Sequence, residues 1–158
     1  MSLNPVMWDE RLRIKVKKIR DNAFLPKRMT SGSAGLDLYY APSDDSLKSI
    51  FIRPGETRLL ETGISIECDR KDIFFVIYSR SSFFKNGVFA HNGVIDNDYR
   101  GEIKVVITNV SDTDFRIEYG DRIAQLIPHK IYDVYIEEVE ELSKTDRDSG
   151  GFGSTGKK

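Results

Sequence analysis

Residues 102–128 read EIKVVITNVSDTDFRIEYGDRIAQLIP. The run 102–109 is rich in β-branched residues, and its centre, Lys104 to Ile107, is more uniformly apolar than a strand with one wet face. That pattern predicts a central strand. Two shorter runs follow at 115–118 and 123–128, separated by Tyr119-Gly120-Asp121, a turn in which glycine supplies the backbone freedom and aspartate the local hydrogen bonds. Further strand patterns lie upstream at 13–19, 35–40, 49–53, 57–66, 73–78 and 88–90, with one downstream at 134–138. Pro54-Gly55-Glu56 marks another turn. In the first of these strands Ile14, Val16 and Ile19 are interleaved with Lys15, Lys17 and Lys18, as in an edge strand whose lysines discourage further pairing. Helical periodicity is nearly absent. Many short strands with turn punctuation predict an all-β sandwich or barrel.

Composition narrows the class. A chain of 158 residues is long enough for one domain, which buries roughly 70% of its unfolded surface. With 24 Lys+Arg against 25 Asp+Glu the formal net charge is −1, so no overall field draws the chain onto nucleic acid or an anionic membrane, and neither is an expected stable partner. No apolar run approaches the roughly 18 residues of a membrane span. The residues before Arg11 lack the order of a signal peptide, which leads us to expect a soluble protein of cytoplasm or nucleus. The single cysteine, Cys68, allows no internal disulfide, and the isolated His91 and His129 make no metal pair, so any metal is expected to arrive with a ligand.

The ends differ from the middle. Residues 1–12 read as an N-terminal extension, 13–142 as the β domain, and 143–158 as a polar, glycine-rich arm that is flexible unless held. The acidic run Glu137, Glu138, Glu140, Glu141 reads as a solvated face. Residues 151–157, GFGSTGK, fit the opening of a phosphate-binding P-loop, but Lys158 stands where Ser or Thr belongs and no strand–helix context surrounds it. What remains is a set of backbone donors with the Ser154 and Thr155 hydroxyls, Arg147 and the Phe152 ring, groups suited to a phosphorylated ligand carrying a flat base.

Four more segments carry unusual chemistry. Residues 92–101, NGVIDNDYRG, place two acids, an aromatic, an arginine and two glycines between apolar runs. In a turn, one of Asp96 and Asp98 can face a pocket while the other caps backbone, although plain turn chemistry accounts for the pattern equally well. Residues 79–82, SRSS, end an apolar run and offer one guanidinium, able to grip phosphate oxygens bidentately, beside three hydroxyls; an ordinary loop is the plainer reading. Within AGLDL, at 34–38, Asp37 sits in an apolar strand and needs a partner. In GDRIAQLI, at 120–127, the Gln125 amide likewise demands hydrogen bonds.

Taken in order with RDSGGFGSTG at 147–156, these segments closely resemble the five motifs of the trimeric deoxyuridine triphosphatase (dUTPase) family, and the match spans nearly the whole chain. The resemblance implies a jelly-roll-type β-sandwich and a homotrimer with active sites shared between subunits. It implies Mg2+-dependent hydrolysis of dUTP to dUMP and pyrophosphate by water attack on the α-phosphorus, which limits uracil incorporation into DNA and supplies dUMP for thymidylate synthesis.

The resemblance also implies roles. Asp96 corresponds to the carboxylate that activates the attacking water, and Tyr99 to the ring that stacks on deoxyribose and leaves no room for a 2′-hydroxyl. Gly93, Val94 and Ile95, in a hairpin from Phe89, are expected to read uracil through main-chain groups, with Lys104 nearby on the nucleotide. Arg80, Ser81, Ser82 and Gln125 are expected on the phosphates, Ser81 polarising the bridging oxygen of the leaving group, with Asp37 in support. The arm is expected to close over a neighbouring site, Phe152 stacking on uracil, Arg147 on the γ-phosphate, and Gly153, Ser154 and Thr155 adding donors. Mg2+ is expected on the triphosphate and water, without protein ligands.

Four positions depart from the family pattern: Ser79 replaces a proline, Phe83-Phe84 replaces a leucine with small residues, and Asp148 replaces a glycine. Other readings of the same sandwich are a dCTP deaminase, a nucleotide-binding regulator and a structural module. The deaminase needs a glutamate ten residues beyond the turn aspartate, where this chain has Val106. The regulator would be favoured by the absence of Asp96 or of the glycine-rich tail, both of which are present, and the structural module leaves unexplained the ordered set of Arg, Asp, Tyr and Gly-Phe-Gly.

Overall fold

The computed structural model describes residues 11–146, 148 and 149. Among them the strands are β1 (Ile14–Lys18), β2 (Leu36–Tyr39), β3 (Ser49–Ile52), β4 (Thr57–Glu61), β5 (Ile64–Cys68), β6 (Ile73–Tyr78), β7 (Val88–Ala90), β8 (Gly93–Ile95), β9 (Lys104–Asn109), β10 (Phe115–Glu118) and β11 (Arg122–Lys130). Helix is confined to a single 3-10 turn at Asp45–Leu47 and to α1 (Ser81–Lys85), so none of it is long and apolar enough to cross a membrane.

The strands pair antiparallel in the orders β2-β11-β6-β8, β4-β9-β7, β1-β5 and β10-β3, and the fold is a jelly-roll β-sandwich. β9 is central, flanked on both sides, as its apolar density requires. β1 is an edge strand paired only with β5, and its Lys15 meets Glu67 across the pair at 2.7 Å. Between the layers lie Leu38, Ile52, Ile64, Val105, Ile107, Ile117 and Leu126, all buried. Burying each such side chain stabilises the fold by about 1.5–3 kcal/mol relative to leaving it exposed. Asn109, also buried, donates from Nδ2 to the carbonyls of Ile52 and Thr113 at 2.8 Å and accepts at Oδ1 from Ser111, tying β9 to the turn that follows it.

Several expectations need correction. The single strand read over 57–66 is two, because the chain leaves the β9 sheet at Thr62 and Gly63 and joins β1; Gly63 has φ +70, a conformation glycine adopts without strain. The segment 89–95 is not a hairpin, since β7 pairs with β9 and β8 pairs with β6, so it carries the chain between sheets. Residues 134–138 form no strand: Tyr135 and Ile136 are each 89% exposed, and no strand among the described residues pairs with them. The loop read at 79–82 runs into α1, which buries Phe83 against Phe115 in an edge-on contact, ring centroids 5.2 Å apart. The acidic residues Glu137, Glu138, Glu140 and Glu141 are exposed, as read.

Candidate active site in two clefts

β8 ends the four-stranded sheet, so one of its edges is paired with β6 and the other is free to present backbone donors and acceptors. A cleft of about 330 Å3 opens there, walled by Gly93, Val94, Ile95, Asp96, Tyr99 and Lys104, with Leu59 and Ile77 as its apolar surface. The chain turns sharply at its rim: the Tyr99 amide donates to the Asp96 carbonyl at 3.1 Å, leaving the Asp96 carboxylate exposed at the cleft. The side chain that ties this turn down is neither aspartate's. Asn97 Nδ2 donates to the carbonyls of Arg70 and Ile73 at 2.8 and 2.7 Å, which frees Asp96 for chemistry. The Tyr99 ring folds over Gly101, where a Cβ would overlap its hydroxyl, and that hydroxyl donates to the Glu102 carbonyl at 3.0 Å.

The second cleft, of about 230 Å3, is lined by polar groups: Ser33, Asp37, Arg80, Ser81, Arg122 and Gln125, with Met29 and Gly35. Asp37 alternates with buried Leu38 on β2 and so points away from the core. Its Oδ2 lies 3.0 Å from Arg122 Nη1 and its Oδ1 lies 3.6 Å from Arg80 Nε, which supplies the partners that an acid in an apolar strand requires. Arg80 is steadied further by donating from Nη1 to the Arg122 carbonyl at 2.8 Å. Gln125 Nε2 donates to the Ser79 carbonyl at 3.1 Å, and a Cβ on Gly35 would stand 2.7 Å from Gln125 Oε1, so glycine there makes room for the amide.

The clefts share no lining residue. Asp37, Gln125 and Tyr78 are partners across β2, β11 and β6 and share one face of the sheet, as does Val94 through Val76 and Ile127, whereas Ile77, Gly93 and Ile95 share the other, core-facing side. Of the residues read from the sequence, Gly93, Val94, Ile95, Asp96, Tyr99 and Lys104 come together in one cleft. Arg80, Ser81, Gln125 and Asp37 come together in the other. Ser82 lines neither cleft; its carbonyl accepts at 2.8 Å from Nδ2 of Asn86, the residue that follows α1. Arg147, Phe152, Gly153, Ser154 and Thr155 lie outside the described residues.

Sequence reading missed Arg122 and Glu102. The signal for Arg122 was a second charge at the head of an apolar strand, in the same segment as Gln125. Ser79, the first departure from the family pattern, is buried, its Oγ accepting from the Ala90 amide at 3.1 Å. Asp148 has φ +42, in the left-handed region where glycine is favoured.

A family model for dUTPase matches residues 21–156. The chain is 43% identical over 145 residues to a deoxyuridine 5'-triphosphate nucleotidohydrolase of Clostridioides difficile, covering 90% of this chain and 97% of that protein. It is 46% identical over 150 residues to one of Hydrogenobaculum, covering 93% of this chain and 100% of that protein. Among solved structures, the dUTPase of Staphylococcus bacteriophage 80alpha with dUPNHPP superposes with a TM-score of 0.80 at 25% identity, covering 91% of this chain and 98% of that one.

Proposed function

The chain belongs to the dUTPase family and is a dUTP nucleotidohydrolase, and from that premise we propose how its two clefts divide the reaction. The cleft beside β8 takes the nucleoside. Its free strand edge offers uracil the alternating donors and acceptors of a base-pairing partner, and a base with another donor pattern would leave buried polar groups unpaired. Tyr99 covers the sugar. Asp96, exposed at the rim, holds a water and takes its proton as the oxygen attacks the α-phosphorus in line. The P–O bond to the β-phosphate breaks in the same step, giving dUMP and pyrophosphate with no covalent intermediate.

The polar cleft takes the phosphates. Arg80 and Gln125 bind their oxygens, Ser81 donates to the bridging oxygen as negative charge develops on it, and Asp37 keeps Arg80 aimed. Ser82 does not reach this cleft, so we assign it to shaping α1. From the arm, Phe152 covers uracil, Arg147 takes the γ-phosphate, and Gly153, Ser154 and Thr155 add donors, excluding water from the closed site.

Asp37 is the one carboxylate lining the polar cleft, and it is committed to two arginines; among the described residues no three of His, Cys, Asp and Glu gather around a common point. That donor set fits a Mg2+ ion carried on the triphosphate with water completing its shell. When bound, the ion supplies charge neutralisation on the phosphates.

The observation that carries this reading is that Asp96 and Arg80 line two separate clefts with no lining residue in common. A homotrimer that sets one subunit's Asp96 cleft against its neighbour's Arg80 cleft completes each site. Hydrolysis in 18O-labelled water tests the chemistry: the label is expected in dUMP, and label in pyrophosphate would move the attack off the α-phosphorus.

A further inference from the structure

We propose that Glu102 is a positioning residue for sugar selection, its carboxylate pinning to the body of the fold the carbonyl on which the Tyr99 hydroxyl rests. The proposal rests on the assignment of Tyr99 to the sugar. A ring that excludes one extra oxygen atom must be held to a fraction of an ångström, yet Tyr99 is 44% exposed and stands on a turn. Its hydroxyl is anchored on the Glu102 carbonyl at 3.0 Å.

The Glu102 side chain, only 13% exposed, ties that carbonyl inward. Its Oε1 accepts from Arg20 Nη2 at 2.6 Å and from the Gly63 amide at 2.8 Å. Both donors belong to rigid ground. Arg20 Nη2 also donates to the Ala41 carbonyl at 2.9 Å, and the Gly63 carbonyl accepts from the Ile19 amide at 2.7 Å. The next residue is fastened to the same place, for the Ile103 amide donates to Ile64 at 2.9 Å and the Ile103 carbonyl accepts from Thr62 Oγ1 at 2.5 Å. The tether thus runs from the β4–β5 switch through Glu102 to the Tyr99 ring.

The same carboxylate also sets the charge of the cleft. Its Oε2 is 3.8 Å from Lys104 Nζ, and Glu61 Oε1 is 3.6 Å from that ammonium. Two carboxylates and two cations balance, but Arg20 takes Glu102 closely while Lys104 is held only at long range. Lys104 is therefore free to turn towards an anionic ligand.

The experiment compares kcat/KM for dUTP and UTP in Glu102→Ala, Glu102→Gln, Tyr99→Phe and the Glu102→Ala/Tyr99→Phe double variant. Glu102→Ala is expected to lower the dUTP:UTP ratio about 10-fold, the scale of discrimination lost when a pocket loosens. Glu102→Gln, whose amide oxygen still accepts from Arg20 and Gly63, is expected to recover most of the ratio. The double variant is expected to be no worse than Glu102→Ala alone, because both changes cut one tether. If thermal unfolding shows that Glu102→Ala does not fold, Glu102→Asp, one methylene too short for Gly63, takes its place with the same expected loss. An equal fall on both nucleotides, leaving the ratio unchanged, would overturn the proposal. Tyr99→Ala separates the two readings: an unchanged ratio there removes Tyr99 from the sugar, whereas a lost ratio there beside an intact one in the Glu102 variants rejects the tether alone.

Discussion

Asp37 and Arg122 meet across β2 and β11 with Oδ2 and Nη1 3.0 Å apart, and Arg80 Nε stands 3.6 Å from the other carboxylate oxygen. One acid therefore separates two guanidinium groups that would otherwise face each other in a partly buried cleft. Asp37→Ala is expected to lower stability by about 1–3 kcal/mol, because it strands both cations, and to reduce kcat/KM at least ~10-fold by letting Arg80 swing. Asp37→Asn should do less on both counts. Denaturant unfolding and steady-state kinetics on the two variants check this.

Asp96 is exposed at its cleft, and Asn97 does the structural work of the turn. Asp96→Asn should therefore fold and bind nucleotide as the parent does, while turnover falls by about 100-fold or more, as loss of a positioned base implies. Calorimetric binding of a non-hydrolysable dUTP analogue beside a turnover assay tests the separation. An unchanged rate would remove Asp96 from the mechanism.

Because Asp96 and Arg80 line separate clefts with no lining residue in common, two inactive variants should rescue each other if each site is shared between subunits. Asp96→Asn and Arg80→Ala variants, unfolded together and refolded, are expected to regain activity in the about one quarter of sites that, in the proposed trimer, draw both native groups from different subunits. Activity no greater than the sum of the separate variants would place the whole site within one subunit.

Glu61 contributes a pH dependence. Burial pushes its carboxyl upwards, but hydrogen bonds from Ser43 together with the charges of Arg20 and Lys104 outweigh it and hold the group below its ordinary 4.5. A depressed value means that the stabilisation is complete above the unfolded-state value and is lost as pH falls through the folded one. Glu61→Gln should thus be less stable than the parent at pH 7, and the gap should close as the pH drops below that of the folded carboxyl. Thermal unfolding from pH 7 to pH 3 reads both limbs.

What could be read from the chain followed from local pattern. The lysines of β1 mark an edge and the β-branched run of β9 marks a centre, because each depends on residues within one strand. The 134–138 segment has strand-like residues but no pairing strand among the described residues, and pairing is a property of two strands. α1 has five residues, too few for a helical period to show. That Asp37 needs a partner was legible from its apolar surroundings, but the identity of that partner depends on the β2–β11 register. Glu102 escaped notice because Arg20 and Gly63 lie 82 and 39 residues away in the chain.

The most direct test of the central claim is pyrophosphate release by the full chain with Mg2+, comparing dUTP, dTTP, dCTP and UTP separately at equal concentration. Release from dUTP alone is expected, since in the proposed site the β8 edge reads the base and Tyr99 the sugar. Comparable release from UTP would contradict the sugar assignment, and no release from any of the four, with dUTP still bound, would contradict catalysis itself.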